Sequence, residues 1–285
     1  MESFDHLLLT RFNVRFRDRF KEIRGINPNP EWLNNRFKLF EQFCYPSVYS
    51  QSNQNFKWLV FFDGDTPEFF KNKIKEYSSW KTFIPVYTDS VFEEGEFPKE
   101  VRELLRLHMT KGSEYLITSR LDNDDAICKD YIQMVQDNFK KEEIEGINFL
   151  YGYQLYHGKL YLDFSMGNHF ISLIEKHEKN NEDSWKTVFC RHHSNLYELC
   201  RVKIIKDKPT WLEVIHEENI SNIDRPRGFR MPTRRLLKDF SINGEGISPQ
   251  ENLLAFWLER ILSLLYIPYY LSVKLLKRVR YHYLK

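Results

Sequence analysis

Four times before residue 140 a short, β-prone apolar run is followed by a longer amphipathic one, and this alternation restricts the chain more than any single motif does. The runs are HLLLT (6–10) then 31–44, FKWLVFF (56–62) then 67–77, TFIPVYT (82–88) then 98–109, and EYLITSR (114–120) then 126–139. A strand that is apolar throughout has no face to give to water, so helices must cover it on both sides, and strand–helix–strand order makes neighbours parallel. The expectation is an α/β fold, a mostly parallel sheet flanked by helices. Helix starts are marked as well. Asp65, Thr66, Pro67 and Glu68 place a capping residue before a proline and an acid in the first turn, and Phe97, Pro98, Lys99 and Glu100 do something similar.

After Gly146 the character changes. INFLYGYQLYHGKLYLDF (147–164) reads as a hairpin turning at His157 and Gly158, which adds a mixed or antiparallel part to the parallel half. SMGNH (165–169) reads as a turn that starts a helix. The segment from Leu253 is apolar in blocks with a basic end, and its longest uncharged run, Ile261 to Val273, is 13 residues. That is shorter than the roughly 20 residues needed to span a bilayer. It reads either as an amphipathic helical tail on an anionic leaflet, with Lys274, Lys277, Arg278 and Arg280 at the headgroups, or as a helix packed on the core. The domain expectation is 1–224, in two halves that meet at about residue 125, followed by a basic segment and tail over 225–285.

Composition removes several classes. With 42% apolar and 16% aromatic residues and few glycines or prolines, 285 residues can bury a full core, so disorder and low complexity are excluded. A net charge of +2, with mixed signs, gives no global field for nucleic acid. The exception is local: Arg225, Arg227, Arg230, Arg234, Arg235 and Lys238 follow one another without an acid, as a lid over an anion, a lipid contact or a solvated loop. Cys44, Cys128, Cys190 and Cys200 are far apart and form no metal or redox pair. The amino-terminal residues lack a basic region and a long apolar stretch, so the expectation is a cytoplasmic chain with free thiols.

The chemistry is concentrated in TSRLDNDDA (118–126), which directly follows a predicted strand. Ligands of open parallel sheets bind beyond the carboxyl ends of the strands. Asp122 and Asp124, two apart, can face such a crevice together, and a divalent cation bridging to phosphate oxygens is an economical counter-charge. The plain structural reading is an acidic helix cap, with Asp124 or Asp125 at the N-cap. Other strand ends are polar too. The first ends in Thr10, Arg11, Phe12 and Asn13; the second in Asp63, where a carboxylate can accept from a base and Gly64 permits close approach; a late run, WLEVI, delivers His216, a good third metal ligand.

The run SQSNQNFKWLVFFDGDT (50–66) resembles the nucleotide-binding segment of GT-A nucleotide-sugar glycosyltransferases, and LDNDD resembles their metal motif. HLLLTRFN, RFKLFEQFCYPSVYSQ, TSRLDNDDA, TVFCRHHSNL and WLEVIHEENISN together resemble the rhamnosyltransferase family of bacteria over about residues 5 to 224. The resemblance implies a GT-A-like, Rossmann-like fold and a metal-dependent, inverting transfer of a sugar from a nucleotide-sugar donor. By the family's name the donor is dTDP-rhamnose, with UDP- or GDP-sugars as alternatives, and the acceptor is a glycan or lipid-linked glycan of a surface polysaccharide. It further implies that Asp63 faces the nucleobase, that Thr10, Arg11 and Asn13 line the nucleotide pocket, and that Asp122 lies near ribose and metal. Asp124 would ligate Mn²⁺ or Mg²⁺, Asp125 would face the donor sugar or hold the loop, and His216 would be a metal or diphosphate ligand. Arg120 departs from the apolar residue common in the wider set and would pair with the acids or a phosphate.

Direct displacement needs a base for the acceptor hydroxyl. Asp183, in NNEDSW, mimics the acidic motif of inverting families, and Asp163, after a strand and before a glycine turn, is its rival; either also reads as structural. His192 and His193 read as phosphate or acceptor contacts or as a structural pair, and the position of SMGNH (165–169) makes it a candidate for acceptor contact. Peripheral contact with the cytoplasmic face of the inner membrane is expected. Two other classes fit the same sheet: a nucleotidyltransferase, against which the missing Gly-rich phosphate loop counts, and a non-catalytic carbohydrate-binding or scaffold protein, against which the complete DNDD and His216 count.

Overall fold

The computed structural model describes residues 4–17, 23–24, 30–93, 95–176, 185–216, 228–244, 247, 252–265, 268 and 272. The strands are β1 (Phe4–Arg11), β2 (Arg15–Arg17), β3 (Ile23–Arg24), β4 (Lys57–Asp63), β5 (Phe83–Thr88), β6 (Val91–Glu93), β7 (Tyr115–Arg120), β8 (Ala126–Ile127), β9 (Ile144–Phe149), β10 (Tyr151–Tyr156), β11 (Lys159–Phe164), β12 (Ile171–Lys176), β13 (Val202–Ile205), β14 (Trp211–Ile215) and β15 (Phe229–Met231). The helices are α1 (Pro30–Leu39), α2 (Tyr45–Tyr49), α3 (Glu68–Tyr77), α4 (Lys99–Arg106), α5 (Tyr131–Asp137) and α6 (Arg234–Asp239), followed by a last helix over 253–265.

The main sheet has the order β13-β9-β12-β7-β1-β4-β5. β1 is parallel to β7 and β4, and β4 to β5, so the four strands expected from the alternation form one parallel block. Alternate residues serve opposite faces. Leu8, Trp58, Val60, Phe62 and Ile117 pack with Phe37, Phe70 and Ile132, whereas Leu7, Leu9, Leu59, Phe61 and Leu116 pack with Val101 and Leu105 of α4. Burial on both faces is why these strands read as unbroken apolar runs. β12 lies antiparallel between β7 and β9.

The second sheet, β15-β11-β10-β14-β8, is mixed. Its β10–β11 hairpin closes where expected, with His157 at φ 48° and Gly158 at φ 71°, the left-handed pair that a tight two-residue turn demands. Three expectations change. The 126–139 segment starts as strand, because Ala126 and Ile127 pair with Leu212 and Trp211, and the helix begins only at Tyr131. The 165–169 turn leads into strand β12: Asn168 ties itself to Asn148 and Phe149, and the following residues pair with β7. Of the basic run, Arg225 and Arg227 lie outside the described residues, while 229–239 forms β15 and α6 rather than a loop.

All four cysteines are free. Among the described residues no helix is long and apolar enough to cross a membrane. In the last helix Phe256 is buried, while most of the other apolar side chains are exposed.

A buried polar chain crosses the core. The His6 imidazole Nε2 lies 2.8 Å from Ser119 Oγ, which lies 2.6 Å from Ser172 Oγ, and Gln136 Nε2 approaches His6 Nδ1 at 3.3 Å while donating to the Asn55 carbonyl at 2.8 Å. Three strands and α5 are thereby joined. Burial pushes the His6 imidazole down to about 3. An unfolded histidine takes up its proton below about 6.5, so acidification from there draws the chain towards the unfolded state by about 1.4 kcal/mol per pH unit. In His6→Gln that share of the slope should vanish from unfolding free energies measured between pH 7 and 4; equal slopes in both proteins would place the proton uptake elsewhere. A second constraint is steric. A Cβ on Gly152 would meet the Trp211 ring at 1.9 Å, so Gly152→Ala should destabilise by about 3 kcal/mol in denaturant titration, against near neutrality for a strand glycine facing open space.

Candidate active site

The DNDD loop begins where β7 ends, and it is pinned to the end of β1. Leu121 N–H donates to the Leu9 carbonyl at 3.1 Å, and Asn123 Nδ2 donates to the carbonyls of Phe12 at 2.7 Å and Arg11 at 3.3 Å. Four residues later the chain is in the second sheet as β8. Asp125 makes that passage rigid: its Oδ1 accepts the Val214 N–H at 2.8 Å, and its Oδ2 lies 2.7 Å from His169 Nε2. The loop thus bridges the two sheets.

Each acid has its own cation. Arg120 holds Asp122 with two hydrogen bonds, Nε to Oδ1 at 3.1 Å and Nη2 to Oδ2 at 2.8 Å. Arg36, buried on α1, reaches Asp124 Oδ2 at 2.5 Å, and His216 Nε2 lies 2.9 Å from the same oxygen. Burial pushes Asp122 up, but Arg120, His169 and Arg11 outweigh it and hold the carboxyl well below its usual range. For Asp124 burial is likewise outweighed, by the hydrogen bond from His216 and the charge of Arg36. Burial lowers His169, yet Asp125 and Asp122 beside it raise it to about 9. The Asp125–His169 contact therefore carries a proton at neutral pH, which a metal bound to both groups would displace.

Among the described residues two groups bring ligand atoms within 4.8 Å of one another: Asp122, Asp125 and His169, and Asp63, Asp65 and Asp89. Two carboxylates and an imidazole are a donor set that suits a hard or borderline divalent cation, so the first group fits Mn²⁺ or Mg²⁺ chemistry. The second already encloses a cation. Arg15 Nε meets Asp63 Oδ2 at 2.8 Å, and its Nη2 meets Asp65 at 2.8 Å and Asp89 at 3.2 Å. A Cβ on Gly64 would lie 2.5 Å from Asp89 Oδ1, at the end of an exposed side chain that can move aside.

The other expected residues are distributed around these acids. Thr10 is fully buried, with Oγ1 accepting the Trp58 indole N–H at 2.9 Å. Asn13 links the strand ends: Nδ2 donates to Thr66 Oγ1 at 3.1 Å and Oδ1 accepts the Asp63 N–H at 3.2 Å. Arg11 and Arg120 both lie over the Phe189 ring, at 4.6 and 5.6 Å from its centroid. His193 Nδ1 donates to the Gly167 carbonyl at 2.8 Å, and its ring stands 5.9 Å from that of His169. Asp163 is buried on β11, two strands from β14, where Oδ1 accepts the Phe164 N–H at 2.8 Å. Asp183 lies outside the described residues.

Arg36, Arg15 and Phe189 carry no strand-end signature and were not expected as site residues, and His169 was expected only within a turn placed for acceptor contact. Arg36 and Arg15 had one available signal: a buried carboxylate at a strand end requires a cation. His169 was visible only as part of a turn.

Among solved structures, S. aureus TarS 1–349 in complex with UDP-GlcNAc aligns at 11% identity and a TM-score of 0.44, covering 75% of this chain and 60% of that one. A structure titled "putative nucleotide-diphospho-sugar transferase" from Desulfovibrio desulfuricans G20 aligns at 8% identity and a TM-score of 0.37, covering 75% and 81% of the two chains. The 4-diphosphocytidyl-2C-methyl-D-erythritol synthase of Anaerococcus prevotii aligns at 12% identity and a TM-score of 0.34, covering 72% and 88%. The chain spans about 60% of the TarS 1–349 fragment. No curated protein matches it. Residues 4–228, which carry strands β1–β14 and every acid of the DNDD loop, match the family described as "Putative rhamnosyl transferase", and the chain belongs to that family.

Proposed function

We propose that this protein is a metal-dependent, inverting glycosyltransferase that moves a sugar, by its family rhamnose, from a nucleotide-sugar donor to a glycan or lipid-linked glycan acceptor. It would act in surface-polysaccharide synthesis at the cytoplasmic face of a membrane. The single observation that carries the reading is the DNDD loop, where Asp122, Asp125 and His169 converge at the end of the parallel block, inside the region that matches the family.

The residues divide the work by chemistry. Asp63, expected from sequence to face a nucleobase, is buried at the end of β4 and held by Arg15 and the Asp65 amide, so it shapes that strand end. Arg11 and Arg120, steadied by the aromatic face of Phe189, offer cationic surface to the diphosphate. Asp122, Asp125 and His169 would hold a divalent ion, which when bound stabilises charge on the departing diphosphate. We place the ion there rather than on the Asp122, Asp124 and His216 set expected from sequence, because the ligand atoms of Asp122, Asp125 and His169 lie within 4.8 Å of one another. Asp124 and His216 then orient the loop from α1 and β14. In the transfer, the bond from the anomeric carbon to the diphosphate oxygen breaks with its electron pair leaving on that oxygen. The acceptor oxygen forms the new bond and yields its proton to a carboxylate, for which Asp183 is the sequence candidate; Asp163 is engaged with the backbone of the second sheet.

Millimolar dTDP, UDP or GDP with Mn²⁺ should raise the melting temperature by a few degrees, and less without the metal. Failure of all three nucleotides with metal present would defeat the transferase reading. The ligand sets separate in a second experiment. His169→Gln should lose the metal-dependent part of nucleotide affinity at least tenfold in calorimetry, on the order of 1.4 kcal/mol, while His216→Gln keeps it. The reverse result would return the metal to Asp124 and His216.

A further inference from the structure

The last helix is amphipathic in the wrong direction for a water-facing element. Its polar side chains, Glu259, Arg260 and Ser263, stand at i, i+1 and i+4 and are used against the protein. Glu259 accepts from Arg230 Nε at 3.1 Å and from Lys159, Ser263 Oγ accepts the Arg230 N–H at 3.2 Å, and Arg260 lies 4.5 Å over the Phe229 ring. Arg230 is itself only 2% exposed and also donates to the Leu160 carbonyl, so the helix is clamped onto β11 and β15 through a buried cation. The outward side consists of Leu254 (73% exposed), Trp257 (55%), Leu258 (55%), Ile261 (54%), Leu262 (63%) and Leu265 (70%) with their apolar neighbours. A surface helix of a water-soluble domain carries the opposite arrangement, and a contiguous apolar patch of this kind marks an interaction surface.

We infer that this outward face is the surface on which the protein rests on an anionic bilayer, a step that deepens the proposed reading of a lipid-linked acceptor. Charge selects the occupant. From Ile261 to Lys285 the sequence holds Lys274, Lys277, Arg278, Arg280 and Lys285 and no acid. A second copy of the same helix would bring like charges together, whereas anionic headgroups above an acyl layer satisfy the cations and the leucines at once. Because its uncharged run, Ile261 to Val273, is 13 residues against the roughly 20 a crossing needs, the helix would lie in the interface rather than through it. The Arg230–Glu259–Lys159 clamp sets the orientation: the sheet that carries β14 and His216 is the sheet bolted to the membrane element.

The test is flotation of the full chain with vesicles of phosphatidylcholine alone or with phosphatidylglycerol. The protein should float with the anionic vesicles, lose binding as salt rises, and partition at least tenfold less as Leu258→Glu/Ile261→Glu, a variant that keeps its nucleotide-induced thermal shift. Brominated acyl chains should quench the fluorescence of the unaltered protein and quench Trp257→Phe much less, a readout that does not depend on the charged variant folding. No binding to anionic vesicles would overturn the inference. So would a dimer that the double variant dissolves in the absence of lipid. Vesicle binding without any nucleotide shift would leave the membrane surface standing and remove the transferase reading, and the converse result would do the opposite.

Discussion

Carboxylates two residues apart repel one another, and in a buried loop that repulsion is barely screened. Asp122, Asp124 and Asp125 coexist because each is matched to a different cation from a different part of the chain: Arg120 at the end of β7, Arg36 on α1 with His216 after β14, and His169 before β12. Most of the site follows from that matching. Helix α1 must cross the sheet where Arg36 reaches Asp124, and β14 must end where His216 meets the same oxygen. The turn before β12 must present His169, which accounts for the tight ties of Asn168 to β9.

The same loop is the seam between the two sheets. Asn123 fastens its first half to β1, and Asp125 fastens its second half to β14 through the Val214 amide. Chemistry and architecture therefore share the same four residues. The second sheet is held close in turn by Trp211, which fits against Gly152, stacks on Phe170 at 5.3 Å and donates to the Phe149 carbonyl at 3.0 Å. An aromatic wedge of this size leaves little room for the sheets to slide past one another.

The parallel block was legible because double-sided burial forces unbroken apolar runs, and the hairpin because two left-handed residues must sit at its turn. The boundary at Ala126 was not legible. Its residues suit a helix locally, and only pairing with Trp211 and Leu212, far along the chain, makes them strand. β12 was hidden for the same reason, since its partners β7 and β9 are remote in sequence. At the site, the acids, Arg120 and His216 could be read from their position after strands, but Arg36 and His169 could not. Arg36 sits in an ordinary amphipathic helix and His169 in an ordinary turn, and only the folded geometry tells them from solvent-facing neighbours.

The contact between Arg36 and Asp124 bears on how substitutions in this loop are interpreted. Arg36 is buried on α1, and the carboxylate is its partner in the interior. Neutralising that carboxylate removes the anion from beside a buried guanidinium, a defect of several kcal/mol in comparable buried pairs. An inactive protein with Asp124 replaced is thus reporting on the seating of α1 as well as on chemistry, and the two are separated only when the cation is removed along with the acid.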